Sequence, residues 1–183
     1  MENVMKKFLT CVLALSMTYT TVYAEDADIA GALDHPDRPS ADKENDARRM
    51  PLEVLEFAGL QTGMSVLELE AGGGYYTEII SRAVGGDGNV ILQHAPGLMG
   101  FVGDGIDVRT AGGRLGNVEV SITDFDALAA ADNSVDLVTW IQGPHELGFA
   151  PEGKSLGDPA KAFREIARVL KPGGLLIASD HIA

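Results

Sequence analysis

The sequence predicts an α/β domain, an open parallel sheet with helices on both of its faces. Three observations point to it. Strand-length apolar runs alternate with helix-length segments along the chain, the pattern of repeated β-α-β units. Each strand is entered through a connection long enough for a crossover. The first strand also runs straight into three consecutive glycines, Gly72-Gly73-Gly74, and then into a segment of helical composition.

Met64 to Glu70 is the first strand; Val66, Leu67 and Leu69 suit a strand buried on both faces. The glycines permit a sharp turn and leave backbone N–H groups uncovered. The helix from Tyr75 to Ala83 then aims its N-terminus at whatever lies over that turn, with Ile79 and Ile80 facing inward. Gly85 to Asn89 turns into the second strand, Val90 to Leu92, with Gln93 and His94 at its end. Pro96 to Gly116 carries seven glycines and reads as a frayed helix and loop. Val118 to Ile122 is the third strand and Val135 to Ile141 the fourth. An amphipathic helix over Ala160 to Leu170 places Phe163, Ile166, Ala167 and Leu170 on one side. Lys171-Pro172-Gly173-Gly174 closes it, before a fifth strand at Leu175 to Ser179.

Ahead of the sheet, residues 25–50 read as a polar arm. Pro36 and Pro39 in His35-Pro36-Asp37-Arg38-Pro39 keep it out of regular helix, and His35, Asp37 and Arg38 are placed either over the site as a lid or simply in solvent. Helical character begins at Asp42 and runs to Phe57, with Pro51 as a fresh start and Leu52, Val54, Leu55 and Phe57 as an apolar stripe. Residues 51–183 then form the domain proper. Residues 1–24 read as a secretory signal: Lys6 and Lys7, an apolar run from Phe8 to Met17, and Val22-Tyr23-Ala24 before Glu25. The expected location is outside the cytoplasm, in a bacterial periplasm, without stable membrane insertion after cleavage. The only cysteine, Cys11, lies in that segment, so the mature chain would hold no disulfide and no thiolate zinc site. A net charge of −13 with no basic block argues against nucleic acid and anionic lipid as partners. The four histidines, at 35, 94, 145 and 181, are scattered, and no metal constellation is read from them.

Ligands of open α/β sheets bind beyond the carboxyl ends of the strands. That placement gathers Glu70 to Gly74, Gln93, Asp124, Phe125 and His145 around one crevice suited to an adenosine-like ligand. Gln93 would bond ribose hydroxyls, Asp124 an exocyclic amine, and Phe125 would lie on the base. Each also has a plainer role open to it: a strand-end polar residue, a turn or cap, a core aromatic. A dinucleotide fingerprint fits less well, since Thr77 takes the place of its third glycine and Gln93 that of its acidic residue. A phosphate-binding loop fails for want of Gly-Lys-Ser/Thr after the glycines.

Three blocks in order resemble the successive motifs of class I S-adenosylmethionine-dependent methyltransferases. They are Glu68-Leu69-Glu70-Ala71-Gly72-Gly73-Gly74; Asp124 with Asp132-Asn133-Ser134-Val135-Asp136-Leu137-Val138; and Phe163 through Leu170-Lys171-Pro172-Gly173-Gly174. More narrowly, His35-Pro36-Asp37-Arg38-Pro39 and Ala71-Gly72-Gly73-Gly74-Tyr75-Tyr76-Thr77-Glu78 resemble a group of exported bacterial predicted methyltransferases, and the resemblance runs from about Leu33 to the end of the chain. The resemblance implies a Rossmann-like sheet of order 3-2-1-4-5 and S-adenosylmethionine as cofactor, with methyl transfer to a small-molecule acceptor. It implies Glu68 and Gly72, Gly73 and Gly74 at the methionine end, Gln93 at the ribose, and Asp124 with Phe125 at the adenine. His145 and Glu146 would face the transferred methyl, His145 as the candidate general base.

Departures from the family pattern shape the remaining expectations. Glu70 stands where the loop normally begins with glycine, which either crowds the site or places a carboxylate near the cofactor's sulfonium. Gln93 stands where an acidic ribose ligand is usual. The family sheet continues past strand five with a helix and an antiparallel hairpin, which this chain lacks; a truncated form is expected, or else a partner covering the strand-five edge. Export also leaves open a non-catalytic binding protein that keeps the cofactor fold.

Overall fold

Five runs of aliphatic residues pair into one sheet, and the structure, a computed structural model, describes residues 25–181. The expected signal over 1–24 lies outside the described residues. The strands are β1 (Ser65–Glu68), β2 (Asn89–His94), β3 (Val118–Ile122), β4 (Val135–Ile141) and β5 (Leu170–Ser179). All neighbours are parallel, in the order β3-β2-β1-β4-β5, as the resemblance implied. Order reverses between β1 and β4, so a crevice opens at their carboxyl ends.

Register and side-chain alternation make two cores. Val66 pairs with Val90 on one side and Leu137 on the other, and all three face helices α1 (Ile29–Asp34), α4 (Pro51–Phe57) and α5 (Tyr75–Val84). Leu67, Ile91 and Val138 face the opposite way, against the helix Pro159–Val169 and Phe125, Leu128 and Leu156. The period of two that a strand imposes accounts for this division. Among the described residues no helix is long and apolar enough to cross a membrane.

Three local expectations are corrected. The arm over 25–50 is not extended: it folds into α1, α2 (Ser40–Lys43) and α3 (Asp46–Arg49). Each is too short to stand alone; they are held by long-range contacts, Ile29 and Ala32 in the core and a bidentate pair from Arg38 to Asp46 at 2.7 and 2.9 Å. Lys171-Pro172-Gly173-Gly174 does not end the sheet connection but is drawn into β5. Two steps along β4, Val135 to Leu137, face five along β5, Leu170 to Leu175, and the excess bulges through Gly173 at φ 87°. The apolar stripes also shift: Phe57 and Ala167 are exposed and Phe163 is half-exposed, while Leu55, Ala162, Ile166 and Val169 are buried.

Candidate functional site

After β1 the chain enters the glycine turn through Glu70, whose φ of 52° is left-handed. A side chain there costs about 1 kcal/mol or more, and two bonds hold it in place. Its backbone N–H donates to Gln93 Oε1 at 2.9 Å, and Trp140 Nε1 donates to its Oε2 at 3.3 Å. Burial pushes the Glu70 carboxyl up to about 7. Gly74 follows at φ 78° and caps α5, where a Cβ would come within 2.9 Å of Arg109 Cγ. Glu70→Gly is expected to raise stability by about 1 kcal/mol by relieving the left-handed carboxylate. Urea denaturation at pH 8 measures it, and an unchanged or lowered midpoint would contradict the strain.

Glu70, Gly72 and Gly73 line two cavities at once. One, about 440 Å³, is walled by His94, Leu98, Phe101, Val102 and Phe149, with Glu146 at its rim. The other, about 330 Å³, is polar, and Asn45, Arg49, Glu68, Tyr75 and Gln142 are among its lining. Each is the size of a small-ligand pocket.

Several expected ligands are placed differently. Gln93 is fully buried, and its amide is used up inside the chain, by Glu70 N–H and by the Thr123 carbonyl that Nε2 reaches at 2.5 Å. It clamps the ends of β1, β2 and β3 together and faces neither cavity. Its neighbour His94 points the other way, as alternation along a strand requires. His94 is 3% exposed, lines the larger cavity, and neither ring nitrogen finds a hydrogen-bond partner among the described residues. Burial lowers its pKa, so the imidazole is neutral at pH 7 and keeps one donor and one acceptor for a ligand. Phe125 is a core aromatic, 1% exposed, with its ring 4.9 Å from that of Trp140. Asp124 is a half-buried turn residue whose carbonyl accepts from Ala127 N–H. Neither lines either cavity.

Glu68 does line the polar cavity. It is buried, accepts the Thr77 hydroxyl, and burial pushes its carboxyl up to about 8. The N-terminal helices close this side of the site. Tyr75 Oη donates to Asp46 at 2.6 Å, Tyr76 Oη donates to the Arg49 carbonyl at 2.7 Å, and the Arg49 guanidinium lies 4.6 Å over the Tyr75 ring. Arg49 makes no ion pair among the described residues. The arm therefore reaches the site, but through Asp42, Asn45 and Arg49. His35 instead meets Arg82, and Arg38 is buried against Asp46.

Beneath the turn sits a charge cluster that the sequence reading missed. Glu78, fully buried in α5, takes Arg82 at 2.8 Å, Arg114 at 2.7 Å and Arg109 at 2.5 Å. Arg109 also bonds Asp42 at 2.6 Å and donates to the Gly73 carbonyl at 2.9 Å, so the cluster fixes the turn. An i,i+4 Glu78–Arg82 pair is visible in sequence; Arg109 and Arg114 come from the glycine-rich connection.

After β4, His145 and Glu146 meet residues from the end of β5. His145 Nδ1 lies 2.9 Å from Asp180 Oδ1 and its Nε2 3.3 Å from Glu146 Oε1. His181 Nδ1 lies 3.2 Å from the same Asp180 oxygen. The scattered histidines of the sequence thus include a pair that the fold brings together. Glu146 Oε2 is buried without a hydrogen-bond partner among the described residues.

Comparison with known proteins decides what this arrangement belongs to. Residues 29–124 match the family model described as protein-L-isoaspartate(D-aspartate) O-methyltransferase, and residues 102–178 match one described as a methyltransferase domain. The chain belongs to the class I S-adenosylmethionine-dependent methyltransferases. Relatives of this methyltransferase chain include the ubiquinone/menaquinone biosynthesis C-methyltransferase UbiE of Hydrogenovibrio crunogenus, 37% identical over 69% of this chain and 46% of that one. The same enzyme of an Enterobacter species is 30% identical over 88% and 62%. A SAM-dependent methyltransferase from Aquifex aeolicus superposes with a TM-score of 0.62 at 28% identity, over 78% of this chain and 72% of its own. The chain spans about half the length of the curated relatives it matches. The family's cofactor is S-adenosylmethionine.

Proposed function

We propose that this chain transfers the methyl group of S-adenosylmethionine to a small-molecule acceptor. The observation that carries the reading is the junction at Glu70, Gly72 and Gly73, where an apolar and a polar cavity meet over the glycine turn. The residues present fit the cofactor. Glu68 and the unpaired Arg49 guanidinium suit the ammonium and carboxylate of its methionine end. Leu98, Phe101 and Phe149 suit the adenine. The orphaned His94 ring takes the place at the end of β2 that Gln93 was expected to fill.

When bound, the cofactor supplies an electrophilic methyl on a positively charged sulfur. Glu70, at the junction, offers that charge a carboxylate, and the sulfonium in turn favours its ionised form. Gly72 and Gly73 let the ligand approach the backbone closely. Glu146 lines the larger cavity and has a buried oxygen with no hydrogen-bond partner among the described residues, which suits it to accept a proton from an acceptor. His145 is less available for that task, because both of its ring nitrogens already face carboxylates. Transfer also proceeds by holding the acceptor in line with the methyl, without a base.

The curated relatives are named for C-methylation in quinone biosynthesis, so phenolic and quinol-like rings are the first acceptors to assay. Transfer of labelled methyl to one of them by the purified protein is the expected result. If the protein binds S-adenosylhomocysteine and methylates none of a broad panel, the non-catalytic binding reading takes its place. Arg49→Met is expected to weaken S-adenosylhomocysteine binding by about 10- to 100-fold, the loss of a charged hydrogen bond worth about 1.5–3 kcal/mol. Unchanged affinity by calorimetry would remove Arg49 from the site. We also propose, from residues 1–24, that the mature chain begins at Glu25 outside the cytoplasm. N-terminal sequencing of the fractionated native protein checks it, and an intact Met1 in the cytoplasm would refute it.

A further inference from the structure

We propose that His145, Asp180 and His181 form a site for a divalent transition metal of the zinc class, beside the methyl-transfer crevice. Ligand atoms of the three lie within 4.8 Å of one another. Asp180 Oδ1 lies 2.9 Å from His145 Nδ1 and 3.2 Å from His181 Nδ1. Tetrahedral zinc with bonds of 2.0–2.1 Å sets neighbouring donors about 3.3 Å apart, so two edges of the tetrahedron are nearly in place. The His181 side chain is 62% exposed and free to turn the remaining distance. Two imidazoles and one carboxylate are a donor set that suits zinc, cobalt or nickel and not magnesium or calcium.

The surroundings of His145 are the second observation. Its Nδ1 faces Asp180 and its Nε2 faces Glu146 at 3.3 Å. With a metal on Nδ1, Nε2–H is left facing Glu146, the kind of orienting carboxylate that metal-bound histidines usually have. Asp180 is also held ready, its Oδ2 accepting the His145 backbone N–H at 2.9 Å and its Oδ1 the His181 backbone N–H at 2.8 Å.

Three protein ligands leave a fourth position open, the arrangement of reactive rather than purely structural zinc sites. Glu146 borders both the cluster and the larger cavity, so an oxygen of the acceptor can reach that position. The metal would then hold the acceptor beside the methyl and favour loss of its hydroxyl proton. Cation binding at the cluster does not depend on the proposed methyl transfer and is tested apart from it.

The test is titration of tag-free, metal-stripped protein with cobalt(II), followed through the visible absorption of tetrahedral cobalt, then displacement by zinc(II). The expected result is one equivalent bound at micromolar metal. His181→Ala and Asp180→Asn should each weaken binding at least about 10-fold, and Glu146→Gln about 10-fold, with circular dichroism showing each folded. His35→Ala, remote from the cluster, should bind as the wild type does. No saturable binding by the wild type, or equal binding by the folded ligand variants, would overturn the site.

Discussion

Replacing Glu78 by alanine is expected to cost about 3–5 kcal/mol of stability, the penalty for breaking a buried ion pair from one side, and to lower Tm by on the order of 10 °C. The size follows from geometry. Glu78 is fully buried and accepts from three guanidiniums, those of Arg82, Arg109 and Arg114. Removing it leaves three partly buried cations facing one another, with Asp42 beside Arg109 and Asp37 3.9 Å from Arg82 as the remaining partners. Burial works against its ionisation, but the three arginines outweigh it and hold its carboxyl below the usual range. A carboxyl with a lowered folded pKa stabilises above its ordinary value and loses that contribution as pH falls through the folded one. The cluster therefore weakens in acid. Because Arg109 also holds the Gly73 carbonyl, the variant should loosen the turn and weaken S-adenosylhomocysteine binding as well. Urea denaturation at pH 7 decides it: a loss under about 1 kcal/mol, the worth of an exposed pair, would show that the cluster does not hold the fold.

Glu68→Gln is expected to act in the opposite direction and in another pH window. Burial pushes the Glu68 carboxyl from 4.5 to about 8, against the Thr77 hydroxyl and the attraction of Arg109 and Arg49. With the folded pKa raised, the carboxyl is tolerated below its unfolded value of about 4.5 and costs stability progressively as pH rises towards 8. The full difference is on the order of 5 kcal/mol, at about 1.36 kcal/mol per unit. The wild type should thus lose stability between pH 5 and 8 and the glutamine variant should lose much less, overtaking it near pH 8. A ligand ammonium beside Glu68 favours its charged form, so binding of S-adenosylhomocysteine, which has no sulfonium to act on Glu70, should release more protons near pH 7 in the wild type than in the variant. Calorimetry in buffers of different ionisation enthalpy reads that directly. Parallel stability profiles for the two proteins would contradict a neutral Glu68.

Much of the sheet was legible because its signal is local. Val118–Ile122 alternates β-branched with polar residues and Val135–Ile141 is largely apolar, each bounded by turn residues, and β3 and β4 have those bounds. The glycine turn was legible for the same reason, since Gly74 at φ 78° is a position other residues resist. What was not legible depends on partners distant in sequence. The helices over 25–50 exist through Arg38 with Asp46, and through Asp46 with Tyr75. Gln93 and His94 differ by one residue along a strand, which is the difference between a buried clamp and a cavity wall; composition does not choose between them. His145 and the Asp180-His181 pair meet only once β4 and β5 lie side by side. Arg49 gave no sequence signal, because its place over the Tyr75 ring and in the lining of the polar cavity is set by the fold.

The most direct test of the account is calorimetric titration of S-adenosylhomocysteine into the purified, folded protein, with NAD as control. One site of micromolar affinity is expected for the first and none for the second. A folded protein that binds neither, or binds both alike, would show that the cavities meeting at Glu70 are not an S-adenosylmethionine site.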